Sequence, residues 1–131
     1  MDLNHLFVYG TLKRGFSNHH FMRGARYLGP AVTLERYALY SSDYPLVVKE
    51  KAFTRIKGEL YLVDHPTLKR IDTLEGHPDI YYREKVLVEL DALAPTNSRI
   101  IEAWIYFYPE PEGEFLQDGL FPSSLDKGRD E

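Results

Sequence analysis

The chain has 131 residues, one domain's length, with 44% apolar and 14% aromatic side chains, enough to build a core and weighted toward strands. Sixteen Lys and Arg against twenty Asp and Glu leave a formal charge of −4, so no basic balance asks for nucleic acid. Without cysteine, disulfides, thiolate catalysis and Cys-ligated metals are excluded, and no segment approaches membrane-spanning length or reads as a leader. A cytoplasmic protein with no nucleic-acid or membrane partner is expected.

Leu6 to Tyr9 is a short apolar run that suits a buried strand. Gly10-Thr11-Leu12-Lys13-Arg14-Gly15 follows. Two glycines bracketing a short segment after a strand mark a tight loop, one able to aim several N–H groups at a single oxygen. The phosphate-loop pattern GxxxxGK[ST] is absent. Ser17 or Asn18 caps a short helix through His19-His20-Phe21-Met22 that ends near Gly24. Neighbouring helical residues point about 100° apart, and no HExxH spacing accompanies the two histidines, so no metal is expected there.

Gly29-Pro30 reads as a turn. Ala31 to Tyr40 reads as a strand interrupted at Glu35-Arg36, Ser41 to Pro45 as a loop and Leu46 to Val48 as a brief strand. Lys49 to Lys57 carries no clear pattern. Gly58 to Val63 is a strand, and Asp64 caps the helix after it, with Pro66 in the first turn. Leu68, Ile71 and Leu74 form the apolar stripe of this helix, while Lys69, Arg70 and Asp72 are expected to face solvent. Gly76 suits the C′ position and Pro78 the stop, so the helix ends at Glu75.

Tyr82 to Leu90 alternates as a strand, and Asp91 to Ser98 is turn-rich. Ile100 to Tyr108 is the most apolar strand, expected centrally, and Pro109 to Phe115 is polar and turn-prone. About six strands against two short helices, with little βαβ alternation, predict an α+β fold: a small, mixed, mostly antiparallel, barrel-like sheet. The domain is taken as 1–121, with 122–131 as a flexible tail.

Glu75 breaks a local rule. A helix C-terminus carries partial negative charge from its free carbonyls, which disfavours a carboxylate and raises its pKa. Acid–base work near neutrality needs such a carboxylate.

Tyr9 to Gly15 (YGTLKRG) and Ile71 to Arg83 (IDTLEGHPDIYYR), in that order, resemble the signatures of the gamma-glutamylcyclotransferase-like family, most nearly its gamma-glutamylamine cyclotransferase branch. Ile71 replaces the usual leucine, and the likeness spans roughly Leu6 to Tyr108. The resemblance implies a small barrel with a cavity at one end. It also implies release of pyroglutamate and a free amine from a gamma-glutamyl compound, by attack of the substrate's own α-amine. Glu75 falls at the family's catalytic position. The resemblance further implies substrate contacts from Tyr9, Gly10, Thr11 and Leu12, and from Tyr44 and Tyr81 at the pocket wall, with Arg83 as a surface residue or a partner that positions the loop. No cofactor or metal is implied, and a monomer or homodimer is expected. A non-catalytic member that binds a small carboxylate or amine in the same cavity is the alternative.

Overall fold

The computed structural model describes residues 2–90 and 99–128. Among the described residues seven strands, β1 (Leu3–Val8), β2 (Arg26–Ser41), β3 (Pro45–Val48), β4 (Thr54–Asp64), β5 (Tyr82–Leu90), β6 (Arg99–Phe107) and β7 (Glu114–Phe115), accompany one α-helix, α1 (His65–Glu75). Short 3-10 turns stand at His19–Met22 and Ser123–Leu125.

The order β2-β4-β1-β6-β5 closes on itself through β5 pairing with β2, a five-stranded barrel. Only β1 and β6 run parallel among these pairs, with Leu6 opposite Trp104. β3 and β7 extend the far end of β2 through Ala38 to Ser41. In a closed barrel no strand is an edge, and Ile100 to Tyr108 accordingly contributes β6, flanked by β1 and β5.

The continuous apolar character of Leu6 to Tyr9 has a simple cause: β1 is buried on both faces. Phe7 points into the barrel with Leu39, Ile56, Leu60, Ile105 and Phe107. Leu6 and Val8 point outward, under the Leu68 and Ile71 stripe of α1, together with Met22, Tyr61 and Val63. Each such fully buried side chain contributes roughly 1.5–3 kcal/mol. Phe7 therefore locks the end of β1 from inside and α1 locks it from outside, and that end leads directly into Gly10.

α1 starts and stops as its sequence directs. The Asp64 carboxylate accepts from the Thr67 amide at 2.9 Å. At the other end Gly76 is left-handed (φ +70°), its amide donates to Thr73 and the His77 amide donates to Asp72, a Schellman closure that only glycine enters cheaply.

Two expectations are corrected. Gly29-Pro30 is not a turn but lies within β2, which passes it with a register shift between Tyr27 and Gly29. Pro30 pairs with Glu59 directly after that shift, in keeping with the confinement of strand prolines to the neighbourhood of bulges and edges. Asp72 does not face solvent but is only 4% exposed, and the site below explains why.

The stretch 91–98, expected as a turn-rich connection, lies outside the described residues. Within the segment expected as a tail, Ser123–Leu125 forms its 3-10 turn and Asp126 is buried. Among the described residues no helix is long and apolar enough to cross a membrane.

Candidate active site

The C-terminus of α1, the loop after β1 and the start of β3 converge on a cavity of about 90 Å³. Its wall includes Tyr9, Gly10, Thr11, Leu12, Tyr44, Glu75 and Tyr81, the seven residues singled out in the sequence, together with Pro45 and Tyr106. A wider groove of about 840 Å³ runs along β2 and β4, with Lys13, Arg36, Arg55 and Lys57 facing Glu59, Glu89 and Asp118. Its charges are mixed and Arg55 is tied to Glu89, so size alone does not make it the stronger candidate.

Glu75 is the unusual group. Its carboxylate takes no hydrogen bond and forms no ion pair with any described residue, and burial pushes its pKa up to about 7. A partnerless, desolvated carboxyl that titrates near neutrality is able both to accept and to return a proton. The Schellman closure at Gly76 ends the helix at this residue, and the Tyr81 amide returns to the Glu75 carbonyl at 3.3 Å.

Opposite Glu75 the loop folds into turns. The Lys13 amide donates to Gly10 at 3.1 Å and the Asn18 amide to Thr11 at 2.9 Å, with Asn18 Nδ2 on Thr11 Oγ1 at 2.9 Å. Among the described residues no acceptor is bonded to the amides of Gly10, Thr11 or Leu12. All three residues line the cavity, and a run of uncommitted amides of this kind is suited to an anionic oxygen.

Three tyrosine hydroxyls in this wall are already committed. Tyr9 donates to the Tyr106 carbonyl, Tyr81 donates to the Pro45 carbonyl (both 2.8 Å) and Tyr106 donates to Asp72 at 2.6 Å. Burial above all holds all three phenols above their ordinary pKa, so they stay protonated. They shape the wall, and the proton-transfer chemistry falls to Glu75. Tyr44, 65% exposed, stands at the rim, and Tyr81 meets Tyr108 edge-on with ring centroids 5.1 Å apart.

The buried Asp72 is the anchor that sequence reasoning missed. Its two oxygens grip the Arg83 guanidinium at 2.7 and 3.0 Å and take the Tyr106 hydroxyl. Burial pushes this carboxyl up, but the hydrogen bonds from Arg83 and Tyr106 and the charge of Arg83 outweigh it and hold the pKa below the usual carboxylate value. The pair ties the last turn of α1 to β5, so the 76–81 loop beside Glu75 is closed at its base. Arg83 also stacks on Trp104 at 4.2 Å, and its amide donates to His77 Nδ1 at 3.2 Å. Of the two roles open to Arg83, the geometry is that of a partner that positions the loop. The signal available in sequence was Arg83 itself, a cation within the same marked stretch.

His19 Nδ1 lies 2.9 Å from the Leu12 carbonyl, while His20 is exposed. Among the described residues no three His, Cys, Asp or Glu side chains gather where an ion would fit.

Gly10 stands against Pro45: a Cβ there would come within 2.5 Å of the proline Cγ. The close approach at Gly10 is thus to the β3 start, which holds the loop against the cavity. Gly10→Val should cost about 1–3 kcal/mol through overpacking. It should leave the chain folded by circular dichroism and weaken pyroglutamate binding at least about tenfold in calorimetric titration. Unchanged affinity would show that the loop amides touch no ligand.

A profile of the family described as "Gamma-glutamyl cyclotransferase, AIG2-like" matches residues 6–123. A Methanocaldococcus jannaschii protein with the provisional name gamma-glutamylcyclotransferase is 45% identical, over 89% of this chain and 94% of its own. Gamma-glutamylaminecyclotransferase C of Danio rerio is 32% identical, over 81% of this chain and 76% of its own. The crystal structure of an AIG2-like protein from Mus musculus superposes with a TM-score of 0.73 at 29% identity, covering 82% of this chain and 78% of that one.

Proposed function

Since this chain belongs to the gamma-glutamyl cyclotransferase, AIG2-like family, we propose that it releases pyroglutamate (5-oxoproline) from a gamma-glutamylamine, with Glu75 as the group that moves the proton. The observation that carries this reading is the shared cavity: it is lined both by Glu75, a carboxyl with no partner among the described residues and a pKa pushed up to about 7, and by Gly10, Thr11 and Leu12, whose amides have no acceptor among those residues.

The chemistry asks little of the protein. The substrate's α-amine attacks its own γ-carbonyl, an N–C bond forms and a five-membered ring closes. Holding the glutamyl chain folded makes this step unimolecular, and proximity of this kind is worth up to about 7–11 kcal/mol. Glu75 takes the proton that the attacking amine must lose. It returns the proton to the leaving nitrogen as the old C–N bond breaks, so pyroglutamate and a free amine leave and the carboxylate is regenerated. In this reading the amides of Gly10, Thr11 and Leu12 bind the glutamyl carboxylate, and Tyr44, Tyr81 and Tyr106 wall the ring. A cavity of about 90 Å³ suits the compact glutamyl part and leaves the departing amine at the rim, near Tyr44. The cycle needs no metal or cofactor, and cytoplasmic gamma-glutamyl compounds would supply the substrate.

The test is a panel of gamma-glutamyl amines and gamma-glutamyl amino acids assayed for pyroglutamate. Release from the amines with weaker release from the amino acids is expected. Release from the amino acids alone would keep the cyclotransferase and reject the amine preference. Tight pyroglutamate binding without turnover on any member would turn the reading to a non-catalytic binder.

A further inference from the structure

We propose that the C-terminal segment from Phe121 to Gly128 is a clasp that fixes the loop after β1, with Lys13 and Asp126 as positioning residues for the site at Glu75. The proposal rests on the preceding reading only in taking that loop to bind substrate.

The loop presents a problem of stability. Donors aimed at a ligand work best when they are held in place before it arrives. Yet among the described residues the amides of Gly10, Thr11 and Leu12 make no bonds that would hold them. The loop must therefore be held through its other atoms, and the C-terminal segment holds it at two points.

Lys13 is the first. It stands among the cavity-lining residues in sequence, but its side chain turns away from the cavity. Only 5% exposed, it donates from Nζ to the Phe121 carbonyl at 2.8 Å and lies 4.5 Å over the Phe16 ring. Phe121 is itself 1% exposed in the barrel core, its ring 5.9 Å from that of Phe16. The grip on a main-chain oxygen depends on where the segment runs more than on the side chain at 121.

Asp126 is the second. It is 5% exposed, and its carboxylate accepts from the Ser17 amide at 2.7 Å, the Ser17 hydroxyl at 2.8 Å and the Gly128 amide at 3.2 Å. A carboxylate this deep is costly unless hydrogen-bonded, and hydrogen bonds to a charged group are the stronger kind. Two of these donors belong to Ser17, at the far end of the loop, just before the His19–Met22 turn. The outer ion pair of Lys127 with Asp43, at 3.5 Å, is exposed and adds little.

The test uses the full chain with Asp126→Ala, and with Ser17→Ala as a milder break that removes the hydroxyl but leaves the main chain. Val63→Ala, in the packing beneath α1 at the opposite end of β1, is the control for a general loss of stability. Exchange of the bonded loop amides of Lys13, Phe16 and Asn18 should quicken by about tenfold or more in Asp126→Ala, by less in Ser17→Ala, and not selectively in Val63→Ala. KM and the pyroglutamate Kd should rise by about tenfold with kcat within about threefold, the pattern of lost binding without lost chemistry. If Asp126→Ala does not fold, the Ser17→Ala result decides. Exchange that stays slow in the loop, or quickens evenly along the chain as in the control, overturns the clasp. A wild type that neither turns over nor binds pyroglutamate would sink the functional reading instead, while the exchange measurement still decides the clasp.

Discussion

Glu75→Gln should lower turnover for pyroglutamate release by at least about a hundredfold and up to ten-thousandfold, the range that general acid–base groups contribute. The amide keeps the shape of the side chain but accepts no proton. KM should change far less, which places the loss in the chemical step. The same substitution should stabilise the protein above neutrality. Burial raises the folded-state pKa of Glu75 from 4.5 to about 7. Between those values the unfolded chain has released its proton and the folded one has not, so stability falls as pH rises through that window. Glutamine has no proton to lose, so the melting temperature of the variant should exceed that of wild type at pH 8 and match it near pH 4. The gain should be on the order of 1–3 kcal/mol. A variant with near-normal turnover would reduce Glu75 to a helix-end residue.

Asp72→Ala has the largest expected effect on the fold. It leaves the Arg83 guanidinium and the Tyr106 hydroxyl without their partner, at side-chain exposures of 13% for Arg83 and 6% for Asp72 in the wild type. Breaking a buried pair in this way costs about 3–5 kcal/mol, since an uncompensated charge is left behind. For a domain of this size the melting temperature should drop by roughly 10–20 °C. Asp72→Asn, which can still accept one hydrogen bond, should lose less. The anchored residues also shape the cavity, so the KM of the surviving folded protein should rise. A melting temperature within about 2 °C of wild type would mean that Asp72 is solvated after all.

Helix α1 was legible because its signals are local. Asp64, Pro66, the spacing of Leu68, Ile71 and Leu74, and Gly76 all lie within one stretch, and each acts through a neighbour a turn away. Asp72 was not legible for the opposite reason. Its side chain sits beside the apolar stripe, where a charged residue ordinarily turns to water, and what keeps it in is Arg83, 11 residues on, and Tyr106, 34 residues on. Only the register of β5 and β6, with Arg83 opposite Tyr106, brings those two groups together over α1. Tyr106 was hidden similarly, one aromatic among several in an apolar strand.

Gly29-Pro30 misled because the dipeptide is a strong turn signal, and a 16-residue strand absorbed it at a register shift. The cavity itself draws on two stretches more than fifty residues apart. No periodicity joins them, and the family resemblance linked them before the barrel gave a physical reason. The Lys13 and Asp126 contacts reach across 108 and 109 residues, beyond anything that local pattern conveys.

The pH dependence of kcat/KM for pyroglutamate release, on the best substrate of the panel, tests the central claim most directly. Such a profile reports the essential groups of the free enzyme. If the Glu75 carboxylate is the base, activity should climb tenfold per pH unit below an apparent pKa near 7 and level off above it. The limb should disappear from the residual activity of Glu75→Gln. A wild-type profile that is flat from pH 5.5 to 8.5, or a limb that persists unchanged in the variant, would contradict the account.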